Sequence, residues 1–78
     1  MSFDQNTPVR LSVLPPVSSQ EQFSNFTGVS RDTVRGWIET NAIPHVKIGR
    51  QRFINVVRFV QDLESGKTQF TRGDYDAD

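Results

Sequence analysis

Positively charged side chains crowd the middle of this 78-residue chain. Between Val29 and Arg58 only Asp32 and Glu39 oppose them, so this stretch has a net charge of +4 although the whole chain is neutral. Lys and Arg neutralise phosphates, and Arg can also donate two hydrogen bonds to a guanine edge. The pattern favours contact with nucleic acid, and an adaptor that docks an acidic protein is the alternative. The six cations are Arg31, Arg35, Lys47, Arg50, Arg52 and Arg58.

The residue types give little support for catalysis, metal binding or disulfide bonds. The chain has no cysteine, which excludes a disulfide framework, a thiolate zinc site and a cysteine nucleophile. His45 is the single histidine and has no acidic or histidine cluster near it in sequence. Asp74, Asp76 and Asp78 alternate, but the glycine and terminal glutamate of a calcium loop are missing. Since no paired carboxylates, nucleophile–base set or phosphate loop occurs either, we expect no enzyme, no cofactor and no metal.

Size and hydropathy narrow the class further. A chain this short forms one domain, and 35% hydrophobic residues allow only a small core. No apolar run approaches the length of a membrane span. The first six residues lack the basic start and apolar stretch of a signal peptide, so we expect a cytoplasmic protein without membrane contact.

Two short helices joined by a tight turn are predicted before residue 42. Ser18 and Glu21 fit a capping box for the first helix, which Gly28 ends. Ser30 then caps the second helix, which stops near Asn41. Phe23 and Phe26 share one face of the first helix, and the predicted core residues of the second helix are Val34, Trp37 and Ile38.

This arrangement is typical of a helix-turn-helix, whose second helix enters the major groove of DNA. Arg31 and Arg35 can bond to guanine, and Thr33 can contact a thymine methyl. Gly36 has no side chain and permits close approach to the sugar-phosphate backbone. The predicted DNA-binding residues of this helix are Ser30, Arg31, Asp32, Thr33, Arg35 and Gly36.

A β-hairpin and a third helix follow. The runs 45–48 and 52–54 alternate in polarity around residues 49–51, with Val46, Ile48 and Phe53 on one face and Ile54 on the other. Its basic loop suits phosphates or the minor groove, and its predicted DNA-binding residues are Lys47, Arg50, Gln51 and Arg52. Asn55 caps the third helix, which ends at Gly66. The predicted core residues of the hairpin and this helix are Phe53, Phe59 and Leu63. Arg58 can pair with Asp62 one turn later.

The chain thus divides into three predicted parts. Residues 1–17 form an N-terminal arm, in which residues 9–13 are a short strand or an extended stretch, and residues 18–66 form the DNA-binding domain. Residues 67–78 are acidic and polar, and we expect a flexible tail. The fold class is α+β: a small winged helix-turn-helix with two short helices, a hairpin wing and a C-terminal helix.

The residues from about Val29 to Leu63 resemble the excisionase-like winged helix-turn-helix family, which is related to MerR DNA-binding domains. The most specific part is Ile43-Pro44 followed by Lys47-Ile48-Gly49-Arg50. The resemblance also includes the helix that carries Arg31 and Arg35, and the strand Arg52-Phe53-Ile54. With its leading arm and short tail, the chain resembles the Cox proteins of temperate tailed phages.

The resemblance implies a recombination directionality factor. Such factors bind repeated sites in attachment DNA, bend it, and favour excision over integration with the phage integrase; Cox proteins also repress the lysogeny-maintaining promoter. The neutral total charge departs from the more basic relatives, and it favours cooperative assembly of several copies on double-stranded DNA. A transcriptional regulator of the same family without a recombination role is the alternative.

Overall fold

The structure is a computed structural model that describes residues 15–76. In chain order its elements are β1 (Val17–Ser18), α1 (Gln20–Thr27), α2 (Arg31–Glu39), β2 (His45–Ile48), β3 (Gln51–Asn55) and α3 (Val56–Glu64). This is the small α+β winged helix-turn-helix arrangement that the sequence predicts. The predicted strand over residues 9–13 lies outside the described residues.

Helix α1 begins one residue later than its sequence suggests. The cap is Ser19, whose hydroxyl accepts a hydrogen bond from the Gln22 amide at 3.0 Å, while the Gln22 side chain accepts from the Ser19 amide at 3.4 Å. The predicted pair of Ser18 and Glu21 is therefore wrong. Ser18 is buried in β1, where it pairs with Ile54 of β3, so the strand already occupies that position.

The turn between α1 and α2 follows the prediction. Gly28 adopts φ +82°, a left-handed conformation that costs glycine little, and its amide donates to Ser24 O at 2.8 Å. Ser30 caps α2 by accepting from the Thr33 amide at 3.1 Å. Val29 packs against the core between the two helices, which fixes the angle at which α2 leaves the turn.

Three antiparallel strands form the sheet, in the order β1-β3-β2. In the hairpin Val46 pairs with Phe53, and Ile48 pairs with Gln51 across a two-residue turn. Gly49, the first turn residue, has φ +64°, which matches the type II′ turn favoured by the twist of paired strands. This turn sets the wing's register and leaves Arg50 at its tip.

The core joins α1, α2, the sheet and the start of α3. Val34, Ile38 and Ile54 are almost fully buried at its centre. The hairpin's contribution is thus Ile54, whereas Ile48 on the opposite face is 54% exposed. The other buried members are Phe23, Ile43 and Val56, with Trp37 and Phe59 packed partly against them.

The predicted core residue Leu63 lies at the surface instead, as does Phe26 on the predicted apolar face of α1, and the predicted core residue Phe53 is only partly buried. Phe26 is 70% exposed and Leu63 is 46% exposed. Both lie at the far ends of α1 and α3, beyond the point where Phe23 meets Phe59 edge-to-face with ring centroids 5.6 Å apart. Helical periodicity identified the apolar faces of α1 and α3 correctly. None of the described residues, however, covers the ends of those faces that lie beyond Phe23 and Phe59.

Residues 67–76 are folded against the domain, contrary to the expected flexible tail. Tyr75 is only 4% exposed, and its ring stacks on Phe70, which in turn contacts Phe59 of α3. The Tyr75 hydroxyl donates a hydrogen bond to Asp62. A single aromatic pair thus anchors a segment whose overall composition is polar.

Candidate nucleic-acid interface

One groove joins the second helix to the wing. Arg31 and Arg35 line it from α2, and Arg50, Gln51 and Arg52 line it from the hairpin. These side chains therefore lie on one side of the molecule, although the two sets are 15 to 21 positions apart in the sequence. Glu21 and Glu39 also line the groove, so four guanidinium groups there face two carboxylates.

The arginines of α2 differ in their partners. Arg35 Nη2 lies 3.1 Å from Asp32 Oδ1, and its Nε lies 4.0 Å from Glu39 Oε2. Both pairs lie on the exposed surface of one helix, where such contacts contribute at most about 0.5 kcal/mol each. Arg31 has no carboxylate within ion-pair distance among residues 15–76. Both guanidiniums can therefore turn towards a phosphate or a base at little cost.

The remaining predicted residues of α2 have separate local roles. The Ser30 hydroxyl caps the helix and lies 2.9 Å from the Thr33 hydroxyl, so these two groups satisfy each other at the first turn. Gly36 lies on the side of α2 opposite Val34 and Ile38. A Cβ added to Gly36 meets nothing within 4 Å, so no contact among the described residues requires a glycine there.

Helix α1 holds the wing in place. Gln20 Nε2 donates to the backbone oxygen of Arg52 at 3.2 Å, which ties the start of α1 to β3 beside the groove. Gln20 also lines a second depression with Ser30, Arg31 and Asp32 at the start of α2. It therefore lies beside both α2 and the wing, and its bond to Arg52 links α1 to the hairpin.

The wing has a second cationic face. Lys47 and Arg52 stand directly opposite each other in the hairpin, and like charges in that position repel. Lys47 lines a depression on the α3 side with His45, Arg52 and Arg58, away from the groove that contains Arg31. The structure thus separates Lys47 from the other predicted wing residues, while Arg52 reaches both sides.

The expected pair on α3 is present. Arg58 Nε lies 3.4 Å from Asp62 Oδ2, and its guanidinium carbon lies 5.3 Å from the centre of the Tyr75 ring. Arg58 therefore helps to hold residues 67–76 as well as contributing positive charge beside Lys47.

Residues 73–76 secure the end of α2. The Gly73 amide donates to Thr40 O at 2.8 Å, and the Tyr75 amide donates to Asn41 O at 2.9 Å. Asn41 has φ +59°, a left-handed conformation that ends the helix. Its side-chain amide donates to Asp76 Oδ1 at 2.6 Å. The carbonyls that follow α2 are therefore satisfied by the C-terminal segment, which steadies the helix from the end opposite Ser30.

Charge interactions strengthen this segment. The Thr71 backbone amide, 3.0 Å from Asp74 Oδ2, and then the Lys67 ammonium, at 2.9 Å, lower the pKa of Asp74 to about 2. Partial burial, followed by the hydrogen bond to Asp62, raises the pKa of Tyr75 above its ordinary value. The segment is therefore held by an ionised Asp74 and a neutral Tyr75 over the whole physiological range.

Sequence reasoning missed two groups that shape this interface. Gln20 was not predicted, because only the pairing of β1 with β3 brings α1 beside Arg52. The C-terminal contacts to Thr40 and Asn41 were missed because the composition of residues 67–78 is polar. A possible signal was the Phe70 and Tyr75 pair, since two aromatic residues are unusual in a solvated tail.

Comparison with known proteins agrees with this geometry. The sequence model of a helix-turn-helix domain matches residues 19–66, which span α1 to the end of α3. The chain belongs to this helix-turn-helix family. DNA binding is accordingly the general function of the domain. The chain is also 47% identical over 66 residues to a 10.1 kDa protein of Pseudomonas phage Pf1, covering 81% of this chain and 73% of that protein. No solved structure gives a significant match.

Residues 15–76 contain neither a cluster of metal ligands nor a membrane-spanning helix. No group of three or more His, Cys, Asp or Glu side chains there could hold a metal ion. None of the helices described in that range is long and apolar enough to cross a membrane.

Proposed function

We propose that this helix-turn-helix protein is a recombination directionality factor that binds and bends phage attachment DNA, promotes excision and inhibits integration, and also represses the promoter that maintains lysogeny. Its similarity to a phage protein and its resemblance to the excisionase-like family support this role. The residues to which we assign DNA binding are those predicted on α2 together with Arg50, Gln51 and Arg52 of the wing. Lys47, which lies on the α3 side, is not among them.

The observation that carries the proposal is the groove shared by α2 and the hairpin. A duplex that places its major groove against α2 brings the neighbouring phosphates towards the wing. Arg31 and Arg35 then reach base edges or phosphates, while Arg50 and Arg52 contact the backbone from the hairpin. Two elements held together by Gln20 would thus read one DNA site as a unit.

The zero net charge of the chain favours binding of several copies to one DNA molecule. Each copy presents few phosphate-binding groups and has no net charge, so a single copy binds weakly at physiological salt. Several copies on repeated sites share one DNA molecule and gain affinity from one another. A row of such copies can bend the DNA, which brings integrase sites together.

The decisive experiment has two stages. Footprinting of the attachment region and the neighbouring promoter should show protected repeats that fill cooperatively as protein is added. Recombination with purified integrase should then show that the protein raises excision and lowers integration. An inert control is the double variant Arg31→Ala/Arg50→Ala, which loses one cation from each side of the groove.

Each outcome separates the candidates. Protected repeats with stimulated excision support the full proposal. Promoter binding and repression without any effect on excision would instead make the protein a transcriptional regulator of the same family. Association with an acidic protein that is indifferent to added DNA would overturn the DNA-binding role itself.

A further inference from the structure

A second groove, distinct from the basic one, runs between α1 and α3. Apolar side chains line most of it, including Pro15, Phe23, Phe26, Val60 and Leu63. Its polar lining residues, Ser18, Gln22 and Thr27, are all uncharged. Phe26 and Leu63, on the predicted apolar faces of α1 and α3, are left exposed by the described part of the chain. Exposed apolar side chains gathered along one groove mark a docking surface.

The N-terminal segment begins at this groove. Pro15 is the first described residue and lines it, and Pro16 O accepts a hydrogen bond from the Val56 amide at 2.9 Å. The chain therefore enters at the start of α3, while Leu63 lies two turns further along the same helix. Fourteen residues precede Pro15.

The composition of those residues complements the groove. Val9, Leu11 and Val13 alternate with Arg10 and Ser12, and Leu14 follows. An extended strand puts alternate side chains on opposite faces, so three apolar side chains can enter while Arg10 and Ser12 face solvent. We propose that residues 9–14 occupy the α1–α3 groove of their own chain and cover Phe26, Val60 and Leu63.

The length of residues 9–14 is sufficient to cover the α1–α3 groove. Helix α3 has nine residues and is about 13 Å long, whereas six extended residues span about 20 Å. Residues 9–14 can therefore follow the whole groove without a turn. Attachment at Pro15 also gives the segment an effective concentration of about millimolar or more, which favours its own groove over that of another copy.

Cross-linking tests the assignment directly, because the chain has no cysteine of its own. In the full-length variant Leu11→Cys/Leu63→Cys, a short bismaleimide should join the two cysteines within one chain. The matched control is Leu11→Cys/Glu39→Cys, whose second cysteine lies at the basic groove. We expect at least about tenfold less intramolecular product from it, given the high local concentration at the apolar groove. Circular dichroism of both variants establishes that they are folded.

Thermal unfolding gives a second readout. Replacing Leu11 with Ser should lower Tm by about 4 °C or more, because an apolar contact is lost from a small domain. Replacing Arg10 with Ser, on the other face of the strand, should leave Tm unchanged. Equal Tm values for the two variants would contradict an ordered, alternating contact.

Each cross-linking outcome leads to a different conclusion about what occupies the α1–α3 groove. An intramolecular product supports the proposal, and an intermolecular product would assign the groove to a second copy instead. Absence of any enriched product in a folded variant would also overturn it. None of these results depends on DNA, so failure here leaves the proposed function standing, and failure of the DNA assays leaves this test unaffected.

Discussion

Substitution of Gly36 should separate stability from DNA binding. Gly36 lies in the interior of α2, where glycine costs about 1 kcal/mol relative to alanine. The structure leaves open space around an added Cβ, so no clash offsets this gain. We therefore expect Gly36→Ala to stabilise the free protein by about 1 kcal/mol, which raises Tm by about 4–8 °C in a domain of this size.

The same substitution should weaken binding to DNA. The proposed role of Gly36 is to let the sugar-phosphate backbone approach α2 closely, so a side chain there acts only in the complex. Gly36→Leu should reduce affinity at least tenfold, equivalent to about 1.4 kcal/mol, and Gly36→Ala should have a smaller effect. Calorimetric unfolding and fluorescence anisotropy with a footprinted site measure the two quantities on the same samples.

The essential result is that Gly36→Ala raises the stability of the free protein and lowers its affinity for DNA. A variant that is more stable and binds DNA as well as the wild type would show that the backbone does not approach this part of α2. A variant that is less stable would show that the reasoning about helix propensity and open space is wrong. Glu64→Ala, at an exposed position of α3 outside both grooves, controls for a general effect of substitution on a helix.

Further expectations concern the groove and the C-terminal segment. Arg35→Ala should weaken binding mainly at specific sites, whereas Arg50→Ala should weaken binding to all sequences and reduce the salt slope by about one unit, as titrations at several salt concentrations would show. Because the pKa of Asp74 is about 2 in the folded state and ordinarily 3.8, its stabilising effect is present above about pH 4 and is lost as the pH falls through 2. Asp74→Asn should remove that part of the acid dependence of Tm. Tyr75→Phe should cost about 1 kcal/mol in urea unfolding, because the hydrogen bond to Asp62 is lost. It should also remove the alkaline destabilisation that begins once an unfolded tyrosine ionises near pH 10, and an unchanged alkaline limb would contradict this assignment.

Local signals in the sequence predict most of the fold. Gly28, Ser30 and Asn55 act within a few residues of their own position, and the structure uses all three as the sequence indicates. The cap of α1 is shifted by one residue because Ser18 and Ser19 are equivalent in local terms. Only the distant pairing of Ser18 with Ile54 decides between them.

Burial is harder to predict than periodicity. The pattern of α1 and α3 identifies the apolar face, yet Phe26 and Leu63 remain exposed because burial depends on what covers each end of that face. In the hairpin, alternation places Ile48 and Ile54 on opposite faces but does not say which face meets the helices. In the structure, the face that carries Ile54 packs against the helices.

The sequence indicated the charges of the candidate interface, but not the position of Lys47 or the packing of residues 67–76. Clustering along the sequence indicates the arginines of α2 and of the wing, and the structure brings them to one groove. The separation of Lys47 onto the α3 side follows from strand alternation together with the twist of the hairpin. Folding of residues 67–76 depends on Tyr75 finding Asp62 and Phe70, and average polarity gives no sign of that contact.

The central claim is that α2 and the wing contact one duplex from the same side of the molecule. Iron–EDTA attached to a single introduced cysteine, at Asp32 on α2 or at Gln51 on the wing, tests it directly by cleaving nearby DNA. Both probes should cut the same bound site, with the two cleavage centres about half a helical turn, or 5 base pairs, apart. A probe at Val57, on the exposed part of α3, serves as the control and should not cut. Cleavage from only one of the two elements, or equal cleavage from Val57, would contradict the account.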